Sequence, residues 1–105
     1  MKLFQKQNLI IAAALVLSAC GTVKLYEPTE TNVAKVKSKD AAVDVNTLAI
    51  GKNLFETKCS ACHKLYAPST KTDAQWSKVL DWMQPQAKIT DAEKHQIYLY
   101  VISHP

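Results

Sequence analysis

The run Cys59-Ser60-Ala61-Cys62-His63 gathers reactive side chains into five positions. Its thiols lie about one helical turn apart, and an imidazole follows the second directly. C-x-x-C-H is the spacing of c-type haem attachment, in which the thiols add to the two vinyl groups and the histidine binds iron. Other chemistries use parts of the pattern. A redox C-x-x-C pair belongs near a βαβ pattern, and no strand pattern surrounds Cys59. Zinc needs four ligands, while His95 and His104 stand nine apart rather than at a three-to-five interval. A disulfide between residues three apart is strained and staples nothing. Haem attachment therefore leads, with a redox or structural cysteine pair as the rival from a different class.

Haem iron takes a sixth ligand or leaves the position open, and that choice separates electron transfer from gas binding. Met83 is the only methionine besides Met1. A soft thioether raises the potential and suits electron transfer, so Met83 is the expected distal ligand. Against this, a Met closing a helical stripe also serves as ordinary core. His95 would give a lower-potential bis-histidine iron, although it falls on the solvent side of its helix. An open site would make the domain a gas sensor or a small peroxidase.

Three helices are expected to position these groups. Thr47 to Lys58 places Leu48, Gly51, Leu54, Phe55 and Cys59 on one broad face, with Asn46 or Thr47 as cap. Gly51 inside this helix costs about 1 kcal/mol against Ala, which implies close approach of another backbone. Thr72-Asp73-Ala74-Gln75 reads as a capping box, with Asp73 as an alternative cap. It precedes Trp76, Val79, Leu80 and Met83 at i, i+3, i+4 and i+7, and Pro85 should stop that helix within two residues. Thr90-Asp91-Ala92-Glu93 is a second box, opening a helix whose buried face is Ile97, Tyr98, Val101 and Ile102.

The 105 residues hold one domain at most. Met1 to Lys6 is a short positive head, followed by an uncharged apolar run from Leu9 to Leu17, the build of a secretory signal. That run is too short to span a bilayer, which takes about 20 residues. Leu17-Ser18-Ala19-Cys20-Gly21 resembles a bacterial lipobox. The resemblance implies removal of residues 1–19 and a lipidated Cys20 that anchors the chain at a membrane surface. Gly21 in second place would favour the outer membrane where the source has one. Residues 20–46 read as a flexible polar tether, with a short helix around Asp40 to Val45. As a coil, 26 residues reach about 28 Å. The domain proper would span 47–105, about 60 residues, near the lower limit for unaided folding. There are 13 lysines and no arginine, and loss of Lys2 and Lys6 would leave 11 lysines against 9 acidic residues, a balance of +2 too weak for nucleic-acid binding.

Gly51 and Phe55, the C-x-x-C-H run, Met83 and a last helix carrying Tyr98 and Tyr100 together resemble the cytochrome c family over residues 47–103. Trp76-x-x-Val79-x-x-x-Met83 also looks like small haem domains that serve periplasmic oxidoreductases. The resemblance implies an all-α domain wrapped around one covalent haem c, held by Cys59 and Cys62, with His63 as proximal and Met83 as distal ligand. It also implies that first and last helices cross near Gly51 and Phe55 against Tyr98 or its neighbours. A carbonyl near Pro68 would accept the second ring proton of His63, and Tyr66, Trp76 or Trp82 would reach the propionates. The 20 residues from His63 to Met83 are fewer than in larger family members. The expected protein is an electron carrier and not an enzyme, on the periplasmic side, exchanging electrons with a redox donor and acceptor. Lys58, Lys64, Lys71, Lys78, Lys88 and Lys94 form either a docking rim or a solvated surface.

Overall fold

The computed structural model describes residues 23–61 and 64–105. These residues form four α-helices and no strand: α1 (Glu30–Val36), α2 (Val45–Leu54), α3 (Asp73–Ala87) and α4 (Asp91–Ile102). A five-residue π-turn, Phe55–Cys59, extends α2, and a 3₁₀ turn, Pro68–Thr70, precedes α3. The expected helical class holds for the described residues. None of their helices is long and apolar enough to cross a membrane.

Both capping boxes form. Thr72 Oγ1 accepts from the Gln75 N–H at 3.2 Å while Gln75 Oε1 accepts from the Thr72 N–H at 2.9 Å, so Thr72 and not Asp73 is the cap. Thr90 and Glu93 repeat the exchange at 3.1 and 2.9 Å. Helix α2 starts earlier than expected. Asp44 caps it, taking the Thr47 N–H at 2.7 Å and the Thr47 hydroxyl at 2.8 Å. These bonds hold the Asp44 carboxyl below its ordinary range.

Pro85 lies inside α3, which ends at Ala87, two residues beyond it, as expected. Proline removes the N–H that would bond the Asp81 carbonyl, and Asp81 and Pro85 are both exposed residues. Lys88 ends the helix in the left-handed region, φ 55°, its N–H bonded to the Gln84 carbonyl.

Residues 23–46, expected as a tether, differ most. Val33, Val36 and Val43 are buried with Leu48 and Leu99 in one cluster. The helix of this segment lies at 30–36 rather than near 40–45. Asn32 fixes it, accepting from the Thr29 N–H at 2.8 Å and donating to the Ser103 carbonyl at 2.8 Å. The His95 Nε2 contact with Asp40 Oδ2, 2.9 Å, ties its far end to α4. Isolated valines in a lysine-rich run gain by burial only because α4 offers a second apolar side to cover.

Covered on both sides, α4 is the centre of the molecule. Leu99 enters the valine cluster, whereas Ile97, Tyr100 and Val101 join Phe55, Cys59, Trp76, Leu80 and Ile89 in the other. The expected buried face therefore shifts: Ile97, Leu99, Tyr100 and Val101 are buried, and Tyr98 and Ile102 only half so. Helix α2 crosses α4 at Gly51, as its glycine implied, against Gln96 and Tyr100.

Candidate functional site

A cavity of about 260 Å³ opens between the end of α2 and helix α3. Phe55 and Cys59 line it from the π-turn, and Trp76, Val79, Leu80 and Met83 from α3. Exposed Tyr66 and Trp82 contribute at its margin with half-buried Lys71. The stripe at i, i+3, i+4 and i+7 is thus the wall of a cavity and not only core packing.

The π-turn bears on where Cys59 points. A π-turn adds a residue to the helical repeat and rotates the next residues about the helix axis. Side chains serve carbonyls within and just before it: Thr57 Oγ1 donates to the Asn53 carbonyl at the end of α2 at 2.8 Å, and Ser60 Oγ donates to the Glu56 carbonyl in the turn. Phe55 and Cys59, four apart, are both buried, and both reach the cavity.

Trp76 forms much of the floor. It is 2% exposed, stands edge-on to Phe55 at 5.8 Å and 85°, and donates its indole N–H to the Pro68 carbonyl at 2.9 Å. That carbonyl, the expected acceptor for His63, is therefore already engaged by Trp76. The Lys71 ammonium lies 4.9 Å from the Tyr66 ring centre and 5.9 Å from that of Trp76. The sequence singled Lys71 out only as one of six rim lysines, because a cation over one loop-borne ring and one helix-borne ring has no fixed spacing. Lys94, another of those six, is paired with Asp81 at 2.9 Å.

Cys59 and Met83, one on each side of the helix pair, thus meet in one cavity. Cys20, Cys62 and His63 lie outside the described residues. His95 is exposed, bonded to Asp40, and absent from the cavity; His104 contacts the Pro105 carbonyl at 2.9 Å. Among the described residues no three His, Cys, Asp or Glu side chains converge as a metal site. Among the described residues, the soft donors lining the cavity are the Cys59 thiol and the Met83 thioether, within aromatic and aliphatic walls. A thiol and a thioether within apolar walls are chemically compatible with a group bound through sulfur.

No protein-family model, curated protein or solved structure matches this chain.

Proposed function

We propose that the protein is a lipid-anchored electron carrier of the cytochrome c type, on the periplasmic side of a membrane, with one haem c in the cavity between the π-turn and α3. The observation that carries the reading is the meeting of Cys59 and Met83 in one apolar cavity, added to the C-x-x-C-H spacing. Cys59 and Cys62 would hold the haem through thioethers, His63 would be its proximal ligand and Met83 its distal one. When bound, the haem supplies a one-electron couple between ferrous and ferric iron.

The remaining work falls to side chains of the chain itself. Phe55, Trp76, Val79 and Leu80 exclude water from the cavity, which favours the less charged ferrous state. Met83, 4% exposed and lining the cavity, would occupy the position that an exogenous gas or peroxide needs. Lys71 stands at the cavity margin.

Production in a host equipped for c-type attachment should give a coloured protein with one haem per chain by pyridine haemochrome absorbance. Cys59→Ser with Cys62→Ser should give a colourless one. A colourless wild-type product would transfer the reading to a redox or structural cysteine pair. CO should leave the spectrum of the reduced protein unchanged, and a CO complex of the protein as isolated would favour the gas sensor or peroxidase.

A further inference from the structure

Of the six lysines singled out in the sequence, only Lys71 lines the cavity. Its backbone is held on both sides. The preceding 3₁₀ turn is closed by the Thr70 N–H and hydroxyl on the Ala67 carbonyl, at 3.0 and 2.6 Å, and the residue that follows, Thr72, is the cap of α3. The ammonium is thereby set over the Tyr66 and Trp76 rings, at 4.9 and 5.9 Å from their centres. Ring faces attract a cation but offer no lone pair to its three N–H groups. Among the described residues no oxygen accepts from Lys71 and no carboxylate pairs with it. The Trp76 indole N–H, expected from the sequence to reach a propionate, is taken by the Pro68 carbonyl at 2.9 Å.

From this placement we infer that Lys71 holds a carboxylate of the group bound in the cavity, a propionate where that group is haem. The inference rests on the haem reading above. A ligand with an apolar body and an acidic edge suits the cavity: Phe55, Trp76 and Leu80, each 2% exposed, supply apolar walls, while half-buried Lys71 and exposed Tyr66 put the polar contact at the mouth. A carboxylate there gives the ammonium charge-assisted acceptors. The two rings keep water from one side of the pair, so its attraction is screened less than in bulk water. An uncompensated carboxylate near the iron favours the ferric state. Lys71 offsets that charge and so favours the ferrous one.

The test uses the full haem-loaded chain and the variants Lys71→Gln and Lys71→Arg. Lys78→Gln is the control, because Lys78 is exposed on α3 and does not line the cavity. Pyridine haemochrome absorbance reads the haem carried by each chain. Lys71→Gln should lower the equilibrium constant for reduction about fivefold, a fall of about 40 mV for a one-electron couple. Lys71→Arg and Lys78→Gln should keep that constant within about twofold, since the first retains the charge and the second lies away from the cavity. With haem labelled with carbon-13 at its carboxyl groups, a carboxylate stretch should shift in both Lys71 variants, because glutamine removes the ion pair and a guanidinium bonds it differently. A carboxylate band unmoved by either substitution, or a Lys71→Gln potential equal to that of Lys78→Gln, would overturn the role of Lys71 and leave the haem standing. A colourless wild-type chain would overturn both.

Discussion

A Cβ built on Gly51 would stand 2.2 Å from the Gln96 carbonyl oxygen and 3.0 Å from Tyr100 Cβ, so α2 and α4 meet main chain against side-chain root at their crossing. No rotamer change relieves a clash with backbone. Gly51→Ala should therefore destabilise by about 1–3 kcal/mol even after the gain of about 1 kcal/mol in helix propensity. Denaturant titration reads this directly, and an unchanged midpoint would mean that the helices part at no cost.

Tyr26 and Tyr100 set the alkaline limit of the fold. Burial pushes the Tyr26 phenol up to about 12, with its hydrogen bond to Ser103 opposing, and burial followed by the nearby Tyr26 pushes Tyr100 higher still. A raised phenol favours the neutral form in the folded state. The associated stability is thus fully present below the ordinary phenol pKa of about 10 and is lost as pH rises through the folded values. Stability should be flat to about pH 9.5 and fall between about 10 and 12. Tyr26→Phe should lose about 1 kcal/mol at neutral pH while making the alkaline fall shallower. Parallel alkaline curves for the two proteins would place the fall elsewhere.

Trp76→Phe removes the donor to the Pro68 carbonyl, a buried bond of 2.9 Å, and shortens the cavity floor. An orphaned carbonyl and a partial void together should cost about 2–4 kcal/mol. Urea unfolding gives the value, and a change below about 0.5 kcal/mol would show that water replaces the indole.

Met83→Leu separates ligand from core. The two side chains are close in volume, so the swap should cost less than about 1.5 kcal/mol of stability. If Met83 ligates, the reduced variant should bind CO and its potential should fall. A folded variant with unaltered spectra would leave Met83 as core alone.

The chemistry of this protein is written locally, and so is much of its helix punctuation. Thr72 with Gln75 and Thr90 with Glu93 start α3 and α4 through bonds that span three residues, and Trp76, Leu80 and Met83 share a face whatever they pack against. Gly51 announced a close approach because a glycine in a helix needs a reason. Other features depended on what lies opposite in space. Val33, Val36 and Val43 look like scattered residues of a charged segment until Leu99 supplies the other half of their cluster. Thr29 and Asn32, a box with Asn in place of Glu or Gln, were a faint local sign of α1. Pro85 could stay within the last turn of α3 on a part of the helix where Asp81, whose carbonyl it deprives, is an exposed residue, a property of the folded surface. The π-turn that ends at Cys59 and the engagement of the Pro68 carbonyl by Trp76 had no sign in the local sequence. Spacing along the chain specified which side chains share a helix face, whereas the choice of buried face, the docking of the segment before α2 and the contents of the cavity wall were fixed by contacts between segments far apart in sequence, whose energy comes from covering each other's apolar surface.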